Sequence, residues 1–271
     1  MNFGLLIVGD ELLSGKRADK HLPKVIELLA ARGLALSWAR LVGDEPARIE
    51  ADLRSAFASG DVVFSCGGIG ATPDDHTRQC AAAALGVPLA LHPEARDCVV
   101  ERMKEQAREQ GKPFEPDRED NRHRLEMAVF PTGAEIIPNP YNRIAGFAIR
   151  AGARREAGVF FVPGFPVMAW PMIEWVLDTN YAHLHAAPTV RERSVIVLGT
   201  MEATLTPLMQ AIEADFPGVK VFSLPSVDHP EYGRHIELGV KGDPRLLADA
   251  YGRMRSGLAL LGSVCGPELV R

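Results

Sequence analysis

Residues 3–8 (FGLLIV) and 61–66 (DVVFSC) are short apolar runs, each followed by glycine, and between them lies a stretch of helical periodicity around LPKVIELLAARG. This is β-α-β grammar. It constrains the chain strongly, because two parallel strands can be joined only through a long crossover, usually a helix. The pattern continues. LALSWARLV (34–42) reads as a strand and EPARIEADLRSAFASG as the next crossover helix, with Gly60 at its C-terminal end. After GGIGATPDD (67–75) come an alanine-rich helix to Gly86 and a charged helix near 94–111. EIIPNP and GFAIRAG then flank a loop, and GVFFVPGFP ends in a glycine-proline turn. Strands alternating with helices predict an α/β architecture of three layers, a mostly parallel sheet covered on both faces.

From about residue 190 the order changes to strand RSVIVLG, helix ATLTPLMQAIEADF, strands VKVFSL and GRHIELGV, and helix PRLLADAYGRMRS. This predicts a smaller α+β domain. The boundary is placed at 178, giving domains 1–178 and 179–271. The charged stretch 112–124 reads as a solvated loop and helix start.

The net charge of −5 and pI near 5.9 supply no general attraction to nucleic acid or to an anionic membrane. Cys66, Cys80, Cys98 and Cys265 form no C-x-x-C pair, which argues against a zinc ribbon or a disulfide framework. The first strand starts two residues from the N-terminus, without a basic segment or cleavage site before it, and no run reaches transmembrane length. A cytoplasmic location is expected.

Two phosphate-binding signatures fail. In GDELLSGKR (9–17), Gly9 and Gly15 are one residue too far apart for a P-loop, and Arg17 stands where a magnesium-binding Ser or Thr is needed. GGIGAT begins like the dinucleotide fingerprint, but its third glycine would fall at Pro73. Locally, Thr72 predicts a helix N-cap, with Pro73 at the first helical position and Asp75 at the third, where an acid completes a capping box. Asp75 therefore serves as a cap or faces a ligand; Asp74 has no capping duty. Gly67, Gly68 and Gly70 at a strand's carboxyl end suggest close approach of a ligand to the backbone. Asp10 and Glu11 follow the first strand in the same way, so these loops are expected to share one crevice. Such an acidic crevice repels bare phosphate, and a divalent cation, Mg²⁺, Mn²⁺ or Co²⁺, removes the conflict by bridging carboxylates to phosphate oxygens.

VGDELLSG, VGDEP (42–46), GGIGATPDD, IIPNP and VPGFP resemble, in order and spacing, the MoaB/MogA-type molybdopterin-binding domain, most nearly its version at the N-terminus of the CinA family. The resemblance covers residues 3–177, and residues 179–271 look like the KH-like module that follows in CinA-like proteins. Those proteins often continue into a nicotinamide mononucleotide deamidase domain, and residue 271 precedes the point where one would begin. The string GVKG (239–242) matches the KH loop motif but lies between a strand and a helix, so RNA binding is not expected.

The resemblance implies metal-dependent hydrolysis of the diphosphate of ADP-ribose, as associated with CinA-like proteins, or binding of molybdopterin, as in the MogA branch. It implies Asp74, Asp75 and Asp44 as catalytic residues, Asp10, Glu11 and Asp74 as metal ligands, and Gly67, Gly68, Gly70, Thr72, Ser14 and Asn139 as ligand-binding residues; Arg143, in a loop that departs from the family, is added as a charge-assisted phosphate donor. Asp44 also reads as a cap of the next helix. The chain departs from the family pattern twice: YNRIAG replaces a small Gly-Thr turn after PNP, and Met168 stands where an acid is common. A nucleotide or pterin ligand and a homo-oligomer are expected. The functions open at this point are a diphosphate hydrolase, a pterin-binding or transfer protein, and a non-catalytic nucleotide-binding protein.

Overall fold

In the computed structural model the elements of the first unit are, in order, β1 (Phe3–Val8), α1 (Asp10–Leu13), α2 (His21–Ala30), β2 (Leu36–Val42), α3 (Pro46–Ser59), β3 (Val62–Cys66), α4 (Thr77–Leu85), β4 (Leu89–Leu91), α5 (Pro93–Glu109), α6 (Glu119–Leu125), β5 (Val129–Pro131), β6 (Glu135–Ile137), β7 (Gly146–Arg150), β8 (Gly158–Val162) and α7 (Pro166–Asn180). The structure describes residues 1–150, 156–186 and 192–271. The last two residues of the GFAIRAG run, 151 and 152, lie outside them.

The main sheet has the order β2-β1-β3-β8-β7-β6, with β2, β1, β3 and β8 parallel and β7 antiparallel to both neighbours. β1, β3 and β8 are buried on both faces, which is why FGLLIV and VVFSC read as continuous apolar runs rather than alternating ones. Phe3, Leu5 and Ile7 pack with Val25, Leu28 and Leu29 of α2 and with Met172, Ile173 and Val176 of α7. Leu6 and Val8 face the opposite side, with Ile49 and Leu53 of α3, Ala81 of α4 and Val99 of α5. The three expected layers are present. Gly60 and Gly86 end α3 and α4 in the left-handed conformation that favours glycine there. The β4–β5 ribbon was not read from the sequence.

The chain divides into the units Met1–Ala187 and Pro188–Arg271. The second runs β9 (Glu192–Leu198), α8 (Glu202–Asp215), β10 (Val219–His229), β11 (Gly233–Gly242), α9 (Pro244–Leu260) and β12 (Val264–Val270). Its sheet, ordered β10-β11-β9-β12, is antiparallel throughout. The α+β expectation holds, and the β-α-β-β-α-β order is that of the ferredoxin-like split β-α-β unit. The GVKG string belongs to β11.

Candidate functional site

The register of the sheet builds the site. Val8 pairs with Val42, Ile7 with Cys66, and Cys66 with Val162, so the turns after β1, β2, β3 and β8 leave one edge side by side. The crossovers diverge between β1 and β3, the switch point where open α/β sheets form a crevice beyond the carboxyl ends of their strands.

At that edge the first two turns clasp each other. The Asp10 N–H donates to Asp44 Oδ2 at 2.9 Å, and the Asp44 N–H donates to Asp10 Oδ1 at 3.1 Å. Gly43 makes this possible, because a Cβ there would collide with Asp10 Oδ1. Each carboxylate spends one oxygen on the other's backbone and keeps one in reserve. Burial raises the Asp44 pKa above its ordinary value; the charges of Asp10, Glu11 and Asp74 raise it further, against the opposing Asp10 N–H. The close approach of Gly67 to the Val8 carbonyl sets the glycine loop against the turn after β1, and Asp74 acts on Asp44 from there. None of Asp10, Glu11, Asp44, Asp74 or Asp75 forms a salt bridge with a described residue.

The glycine loop differs from the sequence expectation. Helix α4 starts at Thr77, with His76 as its cap residue, so Thr72, Pro73 and Asp75 do not form a capping box. The same side chains instead close a turn ahead of the helix. Asp75 Oδ2 accepts from the Thr72 N–H at 2.8 Å and hydroxyl at 2.5 Å, while the Asp75 N–H donates to Thr72 O at 3.0 Å. The helix start is sealed by the glycines: Thr77 donates through its hydroxyl to Gly67 O and through its N–H to Gly68 O. In return, the N–H groups of Gly68, Ile69, Gly70 and Ala71 find no acceptor among the described residues. Successive unspent donors of this kind form an anion-binding concavity.

Asp74 is exposed, and the Thr72 hydroxyl, its own N–H and His76 hold its carboxyl below the ordinary range. Beneath the loop lies Arg78, 4% exposed, which donates to Gly70 O at 2.6 Å and to Glu126 O. Burial lowers its pKa, and Asp75 offsets part of that shift. Arg78 went unnoticed in the sequence because nothing in TRQCAAAAL distinguishes a buried arginine from a solvated one.

Of the other expected residues, Ser14 adjoins Asp10, and Asn139 and Arg143 stand on a separate loop. Ser14 is exposed at the end of α1, and its N–H donates to Asp10 O at 2.9 Å. Asn139 and Arg143 sit on the β6–β7 loop, which leaves the same edge two strands beyond β8. The Asn139 amide is committed to the loop itself, accepting from the Tyr141 N–H and donating to Asn142 Oδ1 and Ile144 O. Arg143 has a left-handed φ of 65° and pairs with Glu105 at 2.9 Å. The two departures from the family pattern touch: Asn142 Nδ2 donates to Met168 Sδ at 3.2 Å. No group of three or more His, Cys, Asp or Glu side chains is close enough to hold a metal among the described residues. Among these same residues, no helix is long and apolar enough to cross a membrane.

Comparison with known proteins adds the family. Residues 4–183 match the family described as "Probable molybdopterin binding domain". A CinA-like protein of Anaeromyxobacter sp. (strain Fw109-5) is 37% identical over 188 residues, covering 69% of this chain and 43% of that protein. A CinA-like protein of Geobacter sulfurreducens is 30% identical over 271 residues, covering 100% of this chain and 61% of that protein. The chain thus spans about half the length of these relatives. Among solved structures, the protein CinA of Thermoplasma acidophilum, of unknown function, superimposes with a TM-score of 0.55 at 24% identity over 66% of this chain and 98% of that one, a likeness of fold.

Proposed function

The chain belongs to the probable molybdopterin-binding domain family and is related to CinA-like proteins, and from that premise we propose that it is a metal-assisted hydrolase of a nucleoside diphosphate sugar of the ADP-ribose type. One observation carries this reading: the clasped Asp10 and Asp44, each with a carboxylate oxygen in reserve, border a loop offering four unspent N–H donors. Acids alone would repel a diphosphate and amides alone would not activate water.

A hard divalent ion suits this arrangement, because Mg²⁺ commonly takes one or two carboxylates and completes its shell with water and substrate phosphate. No three of these side chains converge among the described residues, so in our assignment one or two carboxylates drawn from Asp10, Glu11 and Asp74 would hold it. When bound, it would neutralise phosphate charge and lower the pKa of a water. The N–H groups of Gly68, Ile69, Gly70 and Ala71 hold the diphosphate oxygens and the charge that develops on them. Arg78 fixes that loop from below through the Gly70 carbonyl. Asp44 is the group assigned to take the proton of the attacking water, and Asp75 with Thr72 keeps the loop's shape. Incubation with ADP-ribose and Mg²⁺, Mn²⁺ or Co²⁺ is expected to release AMP, and Asp74→Asn to stop it. Wild type yielding no AMP with any of these ions overturns the reading.

The family description favours a second reading, binding of molybdopterin or its adenylated form. Pterin fluorescence in the purified protein supports it; a pterin-free protein that neither binds nor retains added pterin removes it.

A further inference from the structure

A cavity of about 290 Å³ opens beside the acidic crevice, under the turns after β1 and β8. Leu12, Cys66 and Pro166 give its wall apolar patches, the charged Arg17, Asp19 and Lys20 line it as well, and Glu11 is shared with the acids. His21, the first residue of α2, also lines it and is 5% exposed. Asp19 fixes the start of that helix, accepting from the N–H groups of His21 and Leu22 at 2.9 Å each. The ring is held by a contact of 2.9 Å between His21 Nε2 and the carbonyl oxygen of Gly164, which also lines the cavity. A carbonyl only accepts, so Nε2 carries a proton, and Nδ1 is the ring atom left to accept. Nδ1 is buried and has no partner among the described residues. Buried polar atoms rarely stay unpaired, and one that does calls for a missing partner. The nearby Cys66 thiol, whose pKa is pushed up by burial, makes no hydrogen bond to it.

We propose that this cavity receives a hydrogen-bond-donating end of the ligand, and that His21 Nδ1 accepts from an N–H or O–H of that end. This rests on the reading above, in which the diphosphate lies along the glycine loop. The volume is at the low end for ligand pockets, which suits one heterocycle or one sugar ring rather than a whole nucleotide. An exocyclic amine of the base and a sugar hydroxyl present the same chemistry to Nδ1. A site built to pair with such a group discriminates strongly against an analogue that lacks it.

The test is calorimetric binding, with Mg²⁺ present, of ADP, purine riboside 5′-diphosphate, 2′-deoxy-ADP and 3′-deoxy-ADP. Wild type is expected to bind ADP roughly tenfold or more tightly than one of the three analogues, which identifies the donor as amine or hydroxyl. His21→Phe abolishes that preference; His21→Asn, which supplies an amide oxygen, retains part of it. As a check independent of variant folding, the His21 Nδ1 nitrogen resonance of wild type shifts with ADP and not with the analogue it rejects. Wild type binding all four within twofold overturns the proposal, as does an unchanged preference in His21→Phe. A preference that follows His21 while ADP-ribose yields no AMP removes the hydrolase and leaves the cavity assignment standing. No binding by any of the four overturns both.

Discussion

Asp10 and Asp44, 34 residues apart in sequence, each accept the other's main-chain N–H, at 2.9 and 3.1 Å. The clasp joins two loops through groups that would repel each other if only their charges mattered. Asp44→Asn keeps an acceptor for the Asp10 N–H and removes the repulsion. Because folding raises the Asp44 pKa above 3.8, the folded protein holds that proton more tightly than the unfolded chain. Stability contributed by the protonated form is therefore complete below pH 3.8 and is lost as pH rises through the raised value. Metal-free Asp44→Asn should melt about 1–3 °C above wild type at pH 7, the gap closing toward pH 3. Thermal melts from pH 3 to 8 check this, and the same variant should lose ADP-ribose turnover.

Charge left uncompensated in one crevice also predicts a response to cations. Millimolar Mg²⁺ should raise the wild-type melting temperature by a few degrees through binding to the folded state, roughly as linkage requires. Asp10→Asn, which retains the clasp, should show much less of that gain. Titration calorimetry with Mg²⁺ alone gives the affinity directly; an equal response in both proteins places the cation elsewhere.

Adjacent aspartates separate by role. Asp75 holds the Thr72 N–H and hydroxyl, so Asp75→Ala frees two groups and should cost about 1–2 kcal/mol, a fall of roughly 2–8 °C. Asp74 is exposed and bonded only within its own turn, so Asp74→Asn should leave the melting temperature within about 1 °C while turnover disappears. Paired melts and AMP release distinguish the two.

What the sequence disclosed followed physical range. β1, β3 and β8 are continuous apolar runs because both faces are covered, a pattern carried within each strand. Gly60 and Gly86 end their helices where expected for the same local reason. The start of α4 was placed too early, since Thr72 and Asp75 can satisfy each other in a turn as well as in a cap. β12 was not read at all: VCGPELV carries Gly266 and Pro267, poor strand residues tolerated at a sheet edge. His21 and Arg78 were invisible because their partners Gly164 and Glu126, just after β8 and α6, are distant in sequence.

Arg143 tests the line between loop geometry and ligand contact. Its left-handed φ of 65° costs a non-glycine residue about 1 kcal/mol, and its guanidinium already meets Glu105. The pair is partly exposed, which keeps its worth small. Arg143→Gly should therefore be neutral or stabilising by about 0.5–1 kcal/mol. With the arginine engaged by Glu105, KM for ADP-ribose should change by less than about twofold; a KM tenfold higher would assign Arg143 to the substrate.

Gly68 carries two constraints at once, and a control separates them. Its φ is +68°, and a Cβ would drive into Thr77 Oγ1, the hydroxyl that ties α4 to Gly67 O. Thr77 is fully buried and cannot yield cheaply. Gly133 has φ +90° with open space around it, so Gly133→Ala pays only for the backbone, about 1 kcal/mol. Gly68→Ala should cost about 2–4 kcal/mol, because the displaced Thr77 hydroxyl is added to the same backbone term. Denaturant melts of both variants give the difference, which measures how firmly the helix start is sealed by the loop. Equal losses would mean that the loop moves aside freely, and that its four N–H donors are not held ready for a ligand.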